Sequence, residues 1–203
     1  MYRGGPALLR SLQHWRPYIC PFEELARHVP AGARILDAGC GAGLFLALLA
    51  HEGRLARGVG FDVSAEAIEL ASNMARSTGH DDRLEFLRLS VGEAWPEGPF
   101  DAVSLIDVLH HVPPAGQREC FLTAAARLGP GGVLIYKDMA RRPVWRALAN
   151  RLHDLVLARQ WIHYVPVERV EGWAAEAGLG LTRAARFNRL WYAHELRVFR
   201  SPA

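Results

Sequence analysis

Residues Arg34–Ala50 read RILDAGCGAGLFLALLA, and the rest of the chain is organised around them. The short apolar run Ile35-Leu36 is closed by Asp37. Three glycines follow at alternate positions, Gly39, Gly41 and Gly43, and then a run of Leu, Phe and Ala suited to a buried helix. A strand, a tight glycine turn and a helix in that order form the first unit of a nucleotide-binding α/β sheet. The glycines let the backbone take positive φ and let a ligand lie against the main chain. The helix that begins near Gly43 aims its free N–H groups at whatever sits over the turn. Dinucleotide folds space these glycines G-x-G-x-x-G and seat a pyrophosphate on the helix N-terminus. Here the third glycine falls one residue early, and Asp37 stands two residues before the first. An acid at that mouth repels a pyrophosphate and suits a cationic ligand, above all one with an ammonium group.

Working outward, Ala56–Phe61 reads as a second strand that ends in Asp62. An acid at that strand tip can accept hydrogen bonds from both hydroxyls of a ribose. Ser64 is the better N-cap for the helix that follows, which leaves Asp62 for the ligand. Leu84–Leu89 is a third strand, followed by Ser90-Val91. Phe100–Asp107 is a fourth, followed by Val108-Leu109-His110-His111-Val112. Gln117–Leu128 is an amphipathic helix, Gly129–Gly132 a sharp turn, and Gly132–Lys137 a fifth strand. Strands alternating with helices in this way predict a doubly wound α/β fold. The ligand crevice then lies outside the carboxyl ends of the strands.

These residues resemble the class I S-adenosylmethionine-dependent methyltransferases. Asp37-Ala-Gly39-Cys40-Gly41-Ala-Gly43 is similar to the family's first motif, Phe100-Asp101-Ala-Val to its F-D-x-V strand, Val108–Val112 to its V-L-H-H-V stretch, and Leu128–Leu134 to its L-x-P-G-G-x-L stretch. The recognised pattern covers about residues 22 to 138. The resemblance implies a mostly parallel seven-stranded sheet with one antiparallel C-terminal strand, the last two strands forming a hairpin around Asn188-Arg189. It implies one domain over 1–203: an N-terminal helical cap over 1–30, a cofactor-binding core over 31–138, and substrate-side helices with the hairpin over 139–203. It also implies S-adenosylmethionine as cofactor and S-adenosylhomocysteine as product. The expected cofactor residues are Asp37, Gly39, Cys40, Gly41, Gly43, Asp62, Val63, Ser90, Val91 and Asp107. Ser90 departs from the family, which often has an Asp there for the adenine amine; Glu93 or a backbone carbonyl is the substitute. Cys40 reads as a small packing residue.

The methyl of a sulfonium is already activated, so the enzyme's task is to hold an acceptor in line and exclude water. A base beside an acceptor hydroxyl helps to remove its proton, and histidine has a suitable pKa. His110 and His111 are the candidates, because their loop belongs to the ligand face; only one of the two is expected to point into the cavity, and the sequence does not say which. Tyr18, His111, Trp161, His163, Tyr164 and Tyr192 are the expected acceptor contacts. With apolar and aromatic residues concentrated toward the C-terminal end, the acceptor is read as small and aromatic, polyketide-like or lipid-like. The N-P-P-Y type motif used on nucleic acid bases is absent after the fourth strand.

Composition sets the other bounds. The 203 residues are half hydrophobic and carry a formal net charge of +3, which fits one globular domain. Lys137 is the only lysine among mostly arginine cations, so the basic balance makes no case for a nucleic acid partner. Cys20, Cys40 and Cys120 are scattered and suggest neither a disulfide framework nor a metal site. No signal-peptide pattern or bilayer-length apolar run is present, and a cytoplasmic location is the expectation. Residues 143–161 read as a helix with Arg141, Arg142, Arg146 and Arg151 at its start. It either packs on the sheet or presents a basic face to an acidic carrier protein or an anionic lipid surface. Two other readings stand beside the enzyme: a cofactor-binding module without turnover that acts through a partner, and a NAD-type oxidoreductase, which Asp37 and the early third glycine disfavour.

Overall fold

The computed structural model describes residues 20–140, 162–189 and 192–203. Tyr18, Trp161 and the basic helix read over 143–161 lie outside the described residues. The elements run α1 (Phe22–Ala26), β1 (Ala33–Ala38), α2 (Leu44–His51), β2 (Leu55–Asp62), α3 (Ala65–Thr78), β3 (Leu84–Arg88), β4 (Phe100–Ile106), a 3₁₀ turn (Leu109–His111), α4 (Pro114–Ala126), β5 (Leu128–Met139), α5 (Val167–Glu176), β6 (Gly180–Arg189) and β7 (Tyr192–Arg200).

The strands form one sheet in the order β3-β2-β1-β4-β5-β7-β6. Neighbours from β3 through β5 pair in parallel, while β7 runs antiparallel to both β5 and β6. This is the expected doubly wound, seven-stranded sheet with one antiparallel strand. Successive crossovers run one way from β1 to β3 and the other way from β4 onward. The switch point, and with it the crevice, therefore lies at the carboxyl ends of β1 and β4.

The central strands are buried on both faces, which is why they read as near-continuous apolar runs. Alternation sends neighbouring residues to opposite layers. Leu36, Val103 and Leu134 join Phe121 and Phe199 on one face. Ile35, Ala102 and Ile135 join Leu46 and Leu196 on the other. Phe22 of α1 packs in this second layer and stacks on Phe45 of α2 at 5.9 Å.

Three local readings shift. The helix read over Gln117–Leu128 starts earlier, with Pro114 in the first turn of α4, where its missing N–H leaves no helical bond unmade. The Gly129–Gly132 segment lies inside the span of β5 as a bulge, since Phe100 pairs with Leu128 and Ala102 next pairs with Val133. Asn188 and Arg189, read as the hairpin turn, are instead paired within the ladder, with Ala193 and Tyr192.

Candidate active site

At the end of β1, Asp37 is buried and its carboxylate accepts the Ser104 hydroxyl of β4 at 2.6 Å. The chain then turns through Gly39, Gly41 and Gly43 at φ +67°, +53° and +74°. Two of these positions admit no side chain. A Cβ on Gly39 would stand 2.6 Å from a Val108 methyl, and one on Gly43 2.6 Å from the Phe86 ring. Cys40 between them is buried, and its Sγ reaches the Gly41 carbonyl at 3.5 Å.

The β2 end is tied to this loop through Asp62. Its Oδ2 accepts the Gly41 N–H and its Oδ1 the Ser64 N–H, both at 2.9 Å. Ser64 caps α3 by accepting the Ala67 N–H at 3.2 Å. The division of labour expected of Ser64 therefore holds, but Asp62 is not left wholly to the ligand. It braces the loop with one lone pair on each oxygen, and a carboxylate keeps further lone pairs for hydroxyl donors.

After β3, Glu93 is turned onto its own loop, where it accepts the Ser90 N–H at 2.7 Å, and the Trp95 indole N–H donates to the Val91 carbonyl at 3.0 Å. Trp95 is anchored edge-on against Phe61 at 4.8 Å. This fixes Ser90 and Val91 at one wall of the crevice.

The β4–β5 side is built from charge. Asp107 takes φ +58°, the one non-glycine residue at positive φ among those described. Its N–H donates to the Lys137 carbonyl at 2.8 Å. Lys137, fully buried on β5, donates from Nζ to both Asp107 carboxylate oxygens at 2.7 and 2.6 Å. Burial alone would lower the lysine pKa; the Asp107 carboxylate, with smaller contributions from Cys20 and Asp138, outweighs it and raises the pKa above the usual lysine value.

Next in sequence, His110 turns inward and is 1% exposed. Its Nδ1 pairs with Asp138 Oδ1, and its backbone N–H reaches Oδ2 at 3.3 Å. Asp138 Oδ1 also accepts the Met139 N–H at 2.7 Å. An ionised carboxylate only accepts, so this network assigns the Nδ1 proton to His110. His111 is exposed, its ring tilted against that of His110 with centroids 4.0 Å apart. The turn is pinned from beneath by Gln117, whose buried Nε2 lies 2.9–3.1 Å from the carbonyls of Leu109, Val112 and His163, and by the His163 N–H, which donates to the His110 carbonyl at 2.8 Å.

Between these ends opens a cavity of about 460 Å³. Of the residues singled out in the sequence, Gly39, Asp62, Val63, Ser90, Val91 and Asp107 line it, and so does His111. His110 does not; its place is on Asp138, behind the cavity wall. Asp37 and Cys40 face a smaller cleft on the Phe22 side of the glycine loop. Gly41 and Gly43 act through the loop's shape. His163 and Tyr164 are half-buried, His163 lying against the histidine turn through its backbone. Tyr192 pairs with Arg189 through the backbone of the hairpin. Sequence reasoning missed Phe61, Leu89, Val108 and Val112 as lining residues, although each adjoins a singled-out position. It also missed Gln117, a polar residue on the buried face of its helix.

The cavity fits the expected cofactor in its own chemistry. Val63 is 66% exposed at the cavity, far more than most large apolar residues here. It faces an apolar surround that includes Leu89 and Val91, a slot suited to a flat base. Asp62 lines the same cavity with carboxylate lone pairs open to ribose hydroxyls, and the missing Gly39 side chain lets Val108 pack against the loop.

Comparison with known proteins agrees. The sequence matches the methyltransferase domain family over residues 12–184. A ubiquinone biosynthesis O-methyltransferase from Xanthomonas axonopodis pv. citri is 33% identical over 166 residues, covering 77% of this chain and 66% of that protein. Such matches span 27% to 69% of the length of the curated relatives. An O-methyltransferase family protein from Burkholderia thailandensis superposes with a TM-score of 0.74 at 24% identity, over 97% of this chain and 58% of that one. The 1,6-didemethyltoxoflavin-N1-methyltransferase of the same organism, solved with 1,6-didemethyltoxoflavin and S-adenosylhomocysteine, gives 0.73 at 19% identity, over 96% and 82%. Among the described residues no helix is long and apolar enough to cross a membrane. Glycine loop, strand-end acids, sheet order and sequence match converge: the chain belongs to the class I S-adenosylmethionine-dependent methyltransferase family.

Proposed function

We propose that this protein methylates a hydroxyl group on a small aromatic acceptor, with His111 as the group that takes the hydroxyl proton. The observation that carries the reading is the different placement of two adjacent histidines, His110 buried on Asp138 and His111 lining the cavity. The names of the curated relatives, O-methyltransferases of ubiquinone biosynthesis, support a hydroxyl as the acceptor.

S-adenosylmethionine supplies the activated methyl when bound. The residues of the chain do the rest. Asp62 accepts from ribose hydroxyls, Val63 and Val91 enclose the base, and Ser90 and Asp107 offer polar contacts along the wall. Asp37, at the smaller cleft, suits an ammonium group. His111 accepts a proton at a ring nitrogen, and His110, fixed by Asp138, supports the turn that presents it. The basic segment over 141–161 is the part of the sequence that would meet an acidic carrier protein or an anionic lipid surface if the acceptor is delivered on one.

The test is calorimetric titration of the full chain with S-adenosylhomocysteine and NAD, followed by a screen of phenolic acceptors with methyl-labelled S-adenosylmethionine. Saturable binding of the adenosyl ligand alone and label in a phenolic ether are expected. His111→Ala should lose roughly 10²–10⁴-fold in methyl transfer and keep cofactor affinity near wild type. Binding of the adenosyl ligand without transfer to any acceptor, free or carrier-bound, would favour the module without turnover, and full activity in His111→Ala would remove the base.

A further inference from the structure

Three groups of the kind that hold metal ions, Asp107, His110 and Asp138, converge at the ends of β4 and β5 with ligand atoms within 4.8 Å of one another. A cation already stands among them. Lys137 Nζ reaches both Asp107 oxygens at 2.7 and 2.6 Å from a position with no solvent exposure. A divalent ion bound to Asp107 would have to displace that ammonium. The Lys137 ammonium faces the Asp107 carboxylate, and the Nδ1 proton of His110 faces Asp138.

The same lysine grips Asp107 at a second point. Asp107 sits at φ +58°, a conformation that a side-chain-bearing residue keeps only where its surroundings over-determine it. The Asp107 N–H donates to the Lys137 carbonyl while its carboxylate takes the Lys137 ammonium. Backbone and side chain of one residue thus hold both ends of the other. Asp107 lines the cavity, and the histidine turn leaves directly from it.

We propose that Lys137 is the resident cation of this site and a positioning residue for it: its ammonium takes the place a divalent ion would otherwise fill, and its clamp on Asp107 sets the cavity wall from which the His110–His111 turn departs. The inference rests on the proposed function in that the wall it sets is read as a cofactor wall.

Because the chain has a single lysine, wild-type protein can be tested directly. Brief acylation of the native full chain with an N-hydroxysuccinimide ester, read by peptide mass spectrometry, should modify the N-terminal amine and spare Lys137 until the protein is unfolded. Acylation of Lys137 at the rate of a free lysine overturns the clamp. Titration with Mn²⁺, followed by electron paramagnetic resonance, should show no site at this cluster. A saturable Mn²⁺ site in wild type that vanishes in Asp138→Asn overturns the resident-cation assignment.

The positioning role is read in variants. Lys137→Met should weaken S-adenosylhomocysteine binding tenfold or more and lower the melting temperature. The double variant Lys137→Met/Asp107→Asn, which also removes the Asp107 charge, should recover most of the melting temperature while the affinity stays low. Recovery of affinity together with stability reduces Lys137 to charge compensation and overturns the positioning role, as does wild-type affinity in Lys137→Met. Failure of wild type to bind the adenosyl ligand would instead sink the proposed function, and the acylation and Mn²⁺ results would still decide the clamp.

Discussion

The two sides of the crevice hold their acids by different means. On the β1–β2 side, Asp37 takes a serine hydroxyl and Asp62 takes two backbone N–H groups. On the β4–β5 side, Asp107 takes an ammonium and Asp138 an imidazole. The two N–H groups on Asp62 carry no formal charge, so its carboxylate stands at the cavity without a cation on those bonds. The β4–β5 acids are engaged within the protein, Asp107 by the Lys137 ammonium and Asp138 by the His110 imidazole, and what these pairs contribute is position. One side is built by backbone shape and fails when a Cβ is added. The other is built by charge and fails when a proton or a charged group is removed.

The sharpest break of the first kind is Gly43→Ala. The new Cβ would meet the Phe86 ring at 2.6 Å and Ala71 at 3.1 Å, at φ +74°. About 1–2 kcal/mol for the left-handed backbone adds to about 1–3 kcal/mol for overpacking. Denaturant unfolding should therefore show about 2–5 kcal/mol less stability, with cofactor affinity falling in parallel. A loss below about 1 kcal/mol would mean that the loop tolerates side chains and that the backbone-built description is wrong.

Asp62→Ala is the next in size. It removes the acceptor for the Gly41 and Ser64 N–H groups as well as the contact proposed for the ribose. Charge-assisted hydrogen bonds are worth about 1.5–3 kcal/mol, so S-adenosylhomocysteine should bind more weakly by that amount in calorimetry. An unchanged dissociation constant would take Asp62 out of the ribose site and leave it a loop brace.

The same contrast explains what could be read from the sequence. Backbone constraints leave a residue-type signature. Glycine stands where φ is positive and a neighbour is close, Ser64 stands at a helix start, and apolar runs mark strands buried on both faces. Hence the sheet, the glycine loop and the strand-end acids were legible. Charge pairing between β4 and β5 leaves no such local mark. Lys137 is 30 positions from Asp107, and only strand register puts Nζ on that carboxylate. Nor could local sequence decide between His110 and His111, because the choice is made by Asp138 on the neighbouring strand and by Gln117 beneath the turn. The hairpin reading failed for a similar reason. The ladder of β6 with β7 runs on past Phe187 opposite His194 to Asn188 opposite Ala193 and Arg189 opposite Tyr192, so the polar residues that had suggested the turn are strand residues.

Alkaline pH gives the smallest but most selective probe, since it acts on the charge-built side and its underlying layer. Tyr136, beside Lys137 on β5, is buried, and its phenol pKa is raised well above the usual value by that burial and then by the nearby Asp138, Glu195 and Asp107 carboxylates. Burial pushes the Cys120 thiol of α4 up to about 12. The Lys137 ammonium is also held above its ordinary range. All three bind their proton more tightly folded than unfolded. Their stabilisation is complete below the unfolded pKa values, and it is lost as pH rises from about 9 for the thiol and from about 10 for the phenol and ammonium. Each group, once titrating in the unfolded state alone, steepens the loss by about 1.4 kcal/mol per pH unit. Denaturant midpoints measured from pH 8 to 11 should fall progressively, and Tyr136→Phe should flatten the limb above pH 10 by the share of one proton. A limb of unchanged slope in that variant would mean that the phenol is not held neutral by the fold, and the charge-built side would then rest on Lys137 alone.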